Sequence, residues 1–340
     1  MTLADAWEQA IRAGDFEAAW RINDRVLAER GEVPDDPRLP YHLRFVWDGR
    51  PFAGCDVLVR CYHGLGDTLQ FARYIPLLRK RVARVTLQAQ SELVPLLRSL
   101  PGVDRLMPFR VDQPLPPAEC DIEVMELSHA LRLPPETAPP PYLAVSEEKV
   151  REARQRLGGG LLIGLCGRCG GWNPGRSVPV EVLARAVPEG ARLVKLERGA
   201  CRGIGWVNQD DPLDGIMHSA ALVCAVDLVV AVDTMIAHLA GALGRPVFLL
   251  LQHRADWRWM EGRCDSPWYP RMRIYRQREA GSWLEPLEEV RRDLAVTAIR
   301  KAALAVFPSG DDDRTPPKRG DAEPCLSARP SRTTGYAELG

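Results

Sequence analysis

Asp227-Leu-Val-Val-Ala-Val-Asp233-Thr234-Met-Ile-Ala-His238-Leu-Ala-Gly-Ala-Leu243 is the stretch whose reading decides the fold. Its first half is short, apolar and rich in β-branched residues, the pattern of a strand buried on both faces. It runs straight into Asp-Thr, residues that cap helices, and then into an apolar helical stretch. Pro246-Val-Phe-Leu-Leu-Leu251 follows as a second buried strand. Strand, cap, helix, strand is the repeating unit of a parallel sheet.

Working upstream, the same alternation recurs. A helix over 146–157 precedes the strand Leu-Leu-Ile-Gly-Leu-Cys166, a Gly-rich loop, a helix at 179–187, the strand Arg192-Leu-Val-Lys-Leu-Glu197 and a helix around 213–224. Pro134 to Tyr142, PPETAPPPY, reads as a linker that closes an earlier series. That series opens with the strand Cys55-Asp-Val-Leu-Val-Arg-Cys-Tyr62, continues through a helix with Leu69, Ala72, Ile75 and Leu78 at three-residue steps, and adds strands at ARVTLQA, 104–109 and CDIEVME. The expectation is an α/β protein of two Rossmann-like parallel-sheet lobes facing a cleft. Residues 41–145 form the first lobe and 146–306 the second, whose last helix, about 284–306, is placed to cross back onto the first. Residues 1–40 read as a helical hairpin broken at Ala13-Gly14-Asp15, similar to one tetratricopeptide-type repeat; a lone repeat cannot bury its own face and must dock on something. A plain helical cap is the equal alternative. Residues 307–340, poor in apolar side chains, are expected to be disordered.

Composition narrows the function classes. A formal net charge of zero over 340 residues disfavours a nucleic-acid binder, which usually carries a concentrated basic surface. No apolar run approaches the ~20 residues that span a bilayer. The acidic, amphipathic N-terminus does not read as a secretory leader, so a cytoplasmic protein is expected, with peripheral association at the inner face of a membrane admitted. Nine scattered cysteines include one close pair, Cys166 and Cys169, with no second pair to complete a zinc ribbon. No metal and no cofactor are expected.

Four motifs carry the chemistry. The first-turn N–H groups after Asp233-Thr234 face outward at a strand end, a natural pyrophosphate seat. Met235 supplies such an amide, and His238, four residues after Thr234 on the same helical face, could donate to a phosphate oxygen. A histidine packed against the sheet is the plainer alternative. Next, His63-Gly64-Leu-Gly66-Asp67-Thr68 lies between a strand and a helix, where Gly64 and Gly66 let a ligand approach the backbone. Asp67 there is either a helix cap or a catalytic acid–base group. A dinucleotide fingerprint would want a third glycine at 69, where Leu69 stands. The loop after Cys166 carries Arg168, Trp172, Asn173, Arg176 and Ser177: an arginine to clamp phosphate or simply solvated, a tryptophan to stack on a ring. Finally, Asp256-Trp257-Arg-Trp259 through Trp268-Tyr269 is dense in aromatics. Trp257 and Trp259 suit an acceptor or lid contact, with a self-pinned loop as the alternative.

PYHLRFVWDGRPFAGCDVLVRCYHGLGDTLQFARYIPLL (40–78), VDLVVAVDTMIAHLAGALGRPVFLLL (226–251) and DWRWMEGRCDSPWYPRMRIYRQ (256–277) together resemble tetratricopeptide-linked GT-B glycosyltransferases related to the lipopolysaccharide heptosyltransferases, glycosyltransferase family 9. The resemblance covers roughly residues 14 to 295. It implies metal-independent, inverting transfer from a nucleotide-diphosphate sugar to a glycan, lipid-linked or protein hydroxyl. It assigns the base to Asp67 and donor contacts to Asp233, Thr234, Met235, His238 and Arg176. By their places in the motifs, Gly64, Gly66, Thr68 and Ser177 are expected to join the donor site, His63, Trp172, Trp257 and Trp259 to be acceptor or lid contacts, and the N-terminal helices to offer a surface for a protein partner. The chain departs from the family at Tyr62-His63, where relatives carry Glu-Gln, at the shortened loop 167–177, and at Lys195-Leu196-Glu197, where relatives often show Ser-Leu-Gln. A non-catalytic nucleotide-sugar-binding protein, a nucleotide-sugar epimerase and a nicotinamide-dependent enzyme are the rival classes.

Overall fold

The computed structural model describes residues 1–30, 46–110, 112–113, 115–116, 118–171, 173–198, 205–208 and 215–306, the side chains of 300–306 excepted. Residues 31–40 of the expected N-terminal unit, Trp172, and the tail 307–340 lie outside them.

Two helices open the chain, α1 (Leu3–Arg12) and α2 (Phe16–Arg30), packed on each other. Thr2 caps α1 in a reciprocal capping box with Asp5. The first lobe comprises β1 (Asp56–Arg60), α3 (Leu65–Phe71), α4 (Ile75–Arg79), β2 (Arg84–Gln90), α5 (Val94–Leu97), β3 (Arg105–Phe109), β4 (Cys120–Glu123) and α6 (Leu127–Leu131). Its sheet is parallel throughout, in the order β3-β2-β1-β4. The second lobe comprises α7 (Glu147–Leu157), β5 (Leu162–Cys166), α8 (Val180–Arg185), β6 (Arg192–Lys195), α9 (Ile216–Ala225), β7 (Leu228–Val232), α10 (Met235–Ala242), β8 (Val247–Leu251), β9 (Met272–Arg276) and α11 (Leu284–Val306). Its sheet is also parallel, in the order β6-β5-β7-β8-β9.

The apolar runs become strands because both faces are covered. In β7, Val229 and Ala231 join one buried cluster while Leu228, Val230 and Val232 join another on the opposite face. The first of these clusters is continuous across the lobes: Val57, Leu69, Ile75 and Leu87 belong to it together with Ile236, Leu239, Trp259 and Trp268. The lobes therefore share one core.

Strand order also locates the crevices. In an open parallel sheet, ligands bind beyond the carboxyl ends where the connections reverse direction. The first sheet reverses between β1 and β4, above the turn 61–67 and Glu123. The second reverses between β5 and β7, above the loop after Cys166 and the turn at Asp233. The switch points fall on the turns singled out in the sequence.

Three expectations change. The described part of α11 packs on its own lobe, with Val290 and Leu294 in the second lobe's outer cluster and Asp293 bonded to Tyr275 and Arg273. It does not cross to the first lobe. Bridging falls to the N-terminal hairpin. Trp7 of α1 meets Trp257 edge-on at 5.2 Å, and Arg12 O accepts from Glu261 N at 3.0 Å, both in the second lobe. Asp24 of α2 accepts from His129 Nε2 at 2.9 Å and pairs with Arg132, both in the first lobe. The hairpin thus docks on both lobes of its own chain. The segment 134–142 is likewise no loose linker: Tyr142 donates to Leu69 O at 2.8 Å and its own N–H bonds Ala242 O.

Candidate active site at the lobe junction

Helices α3 and α10, each starting at a switch point, lie against each other. The closeness requires glycine. A Cβ on Gly66 would sit 2.8 Å from the His238 ring, and one on Gly241 would sit 2.4 Å from the Tyr269 ring. Each turn of this junction holds an acid with an arginine.

Asp67 is the third residue of α3, not its cap; Gly64 is the cap. One carboxylate oxygen accepts from Gly64 N at 2.9 Å, so the capping reading holds in part. The other lies 2.6 Å from Nη1 of Arg258, an ion pair across the lobes with the side chains 18% and 11% exposed. Burial alone would raise the Asp67 pKa, but Arg258, with His238 and His63 beyond it, holds the carboxyl below its ordinary value. Arg258 also donates to Gln70 Oε1 at 3.1 Å and, through Nε, to Asp256 Oδ1 at 2.9 Å. Burial would strip its proton; the charges of Asp256, Asp67 and Asp233 fix it instead.

Asp233 accepts from Arg176 Nη1 twice, at its backbone oxygen (3.0 Å) and at Oδ2 (3.3 Å). Burial opposes its charge, yet the His238 ring, Arg258 and Arg176 bring its pKa down to about 2. The next residue, Thr234, is the N-cap of α10, but its side chain makes no capping bond. Among the described residues no side chain accepts from the first-turn amides of Met235 and Ile236; Thr234 and Met235 are half-exposed and Ile236 is buried. The loop that carries Arg176 is pinned from below by Glu197, which accepts from Gly167 N (2.5 Å) and Arg168 N (2.9 Å).

Several expected site residues are packed away instead. Thr68 is fully buried and donates to Gln90 Oε1 at 2.9 Å, because β2 rises directly behind α3. His238 is 3% exposed, stacked on Trp259 at 5.3 Å, with Nδ1 3.0 Å from Tyr269 Oη and Nε2 3.7 Å from Asp233. The packed alternative describes it, between the lobes rather than on the sheet. Trp259 is fully buried, so it is the floor of the junction and not a lid. Trp257 packs on Trp7 and Phe71. Ser177 bonds within its loop, to Cys169. Gly64 is exposed, and His63 O accepts from Gln90 Nε2 at 2.7 Å. Arg168 is exposed, and half-buried Arg176 stays beside the start of α10 through its bonds to Asp233.

The motif reading passed over three residues of this junction. Arg258 stood inside a tryptophan-rich string that drew attention to its neighbours; Asp-x-Arg in that string was the available signal. Glu123, at the end of β4, accepts from Tyr62 N (3.3 Å) and Met125 N (2.6 Å), and burial pushes its pKa up to about 8. Gln70 gave no signal beyond its helical spacing from Asp67.

The comparisons agree on fold. No family model matches the chain. A glycosyl transferase family 9 structure from Veillonella parvula superposes with a TM-score of 0.52 at 12% identity, covering 75% of this chain and 99% of that one. The ADP-heptose lipopolysaccharide heptosyltransferase II of E. coli gives 0.52 at 14% identity, covering 73% and 99%. The molecule has the GT-B class of architecture shared by these glycosyltransferases, and two helices precede its first lobe. In sequence it is similar to Protein FlbA of Caulobacter vibrioides, 25% identical over 296 residues, which is 76% of this chain. The chain spans about half the length of that relative, 48%. Among the described residues, no helix is long and apolar enough to cross a membrane.

Proposed function

We propose that the protein is a glycosyltransferase that moves a sugar from a nucleotide diphosphate to a hydroxyl acceptor with inversion. The observation that carries the reading is the junction itself: a carboxylate at the switch point of one sheet, and an uncapped, half-exposed helix start with an arginine at the switch point of the other. Asp67 takes the acceptor's proton as that oxygen attacks the anomeric carbon. The bond from that carbon to the β-phosphate oxygen breaks, and the electron pair leaves with the nucleoside diphosphate. The Met235 and Ile236 amides, Arg176 and Arg168 meet the developing charge, the arrangement that stabilises a leaving group most effectively when fixed in advance. The acceptor is a glycan, lipid-linked or protein hydroxyl, and the lobes must part to admit it.

The neighbour named for ADP-heptose makes adenosine diphosphate the first nucleotide to try. The test is a thermal-shift screen of adenosine, uridine and guanosine diphosphates and their sugars, followed by a transfer assay with any binder. Stabilisation by a diphosphate but not by its nucleoside, with sugar transfer abolished in Asp67→Asn, is expected. Isomerised sugar without an acceptor would indicate an epimerase.

A second reading has its own observation. The 2.6 Å pair with Arg258 keeps Asp67 ionised and occupied, which makes it a poor proton acceptor in the closed molecule. A nucleotide-sugar-binding protein without turnover would carry such a pair permanently. Tight diphosphate binding with no transfer to any acceptor would establish it.

A further inference from the structure

Arg258 is placed between the two halves of the proposed chemistry. Its Nη1 holds Asp67 and Gln70 of the first lobe, its Nε holds Asp256 of the second, and it contributes to keeping Asp233 charged, one residue before the uncapped Thr234. No described residue accepts from Nη2. Around it the junction leaves buried donors without partners among the described residues, Gln70 Nε2 and Trp259 Nε1. Native interiors rarely leave such groups unsatisfied without a functional reason. A cation with a donor arm to spare, bonded to a glutamine whose own amide N–H lacks a partner among the described residues, suits an acceptor-rich anion. Its present anionic partner across the lobes is the very carboxylate the transfer needs.

We infer that Arg258 is a positioning residue that exchanges partners: it holds Asp67 in the closed, empty molecule and turns to the donor's diphosphate when that binds, releasing Asp67 to act as base. The inference rests on the sugar-transfer reading and deepens it. Arginine suits the exchange because its planar fork binds carboxylate and phosphate with the same geometry. Release of the pair leaves Asp67 facing His238 of α10, His63 on its own turn and Glu123 from β4, with Arg258 still tethered by Asp256. Donor arrival would thus switch on the base and loosen the bond that closes the lobes in one event.

The experiment is a calorimetric titration of the full chain with adenosine, uridine and guanosine diphosphates and with the matching nucleosides. It compares wild type with Asp67→Asn, Arg258→Gln, Arg258→Lys and the double variant Asp67→Asn/Arg258→Gln. Asp67 competes for Arg258, so Asp67→Asn should bind the diphosphate more tightly than wild type. Arg258→Gln should bind it roughly 10–100-fold more weakly, the loss of a charge-assisted contact. The double variant should match Arg258→Gln alone, because Asp67 affects the ligand only through Arg258, and nucleoside affinity should not change. In the transfer assay, the acid limb of the kcat/KM profile, which reports the free enzyme, should rise by about 1–3 units in Arg258→Gln and less in Arg258→Lys, as a carboxylate does when it loses a cation beside it. If Arg258→Gln fails to fold, the Asp67→Asn and Arg258→Lys arms still decide. Diphosphate binding that is unchanged or weaker in Asp67→Asn overturns the exchange while leaving sugar transfer standing. Absence of diphosphate binding to wild type overturns both.

Discussion

The strand–helix turns of the two lobes solve one problem in two ways. Each presents an acid at a switch point, and each acid is paired with an arginine. Asp233 takes its partner, Arg176, from the neighbouring loop of its own lobe, with a second bond to the backbone oxygen. Asp67 takes its partner, Arg258, from the other lobe, by a single close contact. The first pair is part of the second lobe's scaffold and survives any movement of one lobe against the other. The second exists only while the lobes are shut. The difference separates a residue that shapes a binding surface from one that works when the molecule opens.

The largest effect that tests this contrast is on catalysis. Asp67→Asn should lower transfer by about 10²–10⁴-fold, the range of a lost general base, while diphosphate binding persists and the melting temperature falls less than in Asp233→Ala, because Arg258 keeps Asp256 as a partner. Equal loss of fold and turnover would erase the distinction between the two acids. Asp233→Ala should act the other way. It strands Arg176 and removes a buried charge pair, so unfolding in denaturant should show a loss of about 3–5 kcal/mol. A variant as stable as wild type would show the pair to be ornamental.

A third change probes the contact between the turns. Gly66→Ala places a methyl against the His238 ring and should cost about 1–3 kcal/mol, as overpacking does. It should also part the lobes, seen as faster proteolysis at the junction. If neither stability nor cleavage changes, α3 and α10 are not held as close as described. The smallest effect is on pH dependence. The Glu123 pKa is raised in the folded state, to about 8, so the protein favours its protonated form. The associated stability is complete below the ordinary glutamate range and is lost as pH rises towards 8. The melting temperature should therefore decline across that interval, and Glu123→Gln should flatten the decline. An unaltered slope would place Glu123 outside the junction's electrostatics.

Much of this was legible in the chain, for physical reasons. Apolar strands buried on both faces announce themselves, and alternation with helices implies parallel sheets, so the two-lobed architecture followed. The turns at Gly64–Asp67 and Asp233–Thr234 were visible because strand ends and helix starts have local signatures. Arg258 was not, since its partner lies far away in sequence and nothing local marks an arginine as an interlobe bond. The burial of His238 and Trp259 was hidden for the same reason. Each looks like a ligand contact on an isolated lobe, and only the packing of α3 against α10 buries them. The route of α11 depended likewise on a tertiary contact, with Asp293 held by β9.

Hydrogen–deuterium exchange of the full chain, with and without a saturating nucleoside diphosphate, tests the central claim most directly. The amides at Thr234 to Ile236 lack helical acceptors and should exchange rapidly in the free protein, then slow sharply on binding, while α8 and α11 stay unaffected. Protection confined to another surface, with no change at the start of α10, would contradict it.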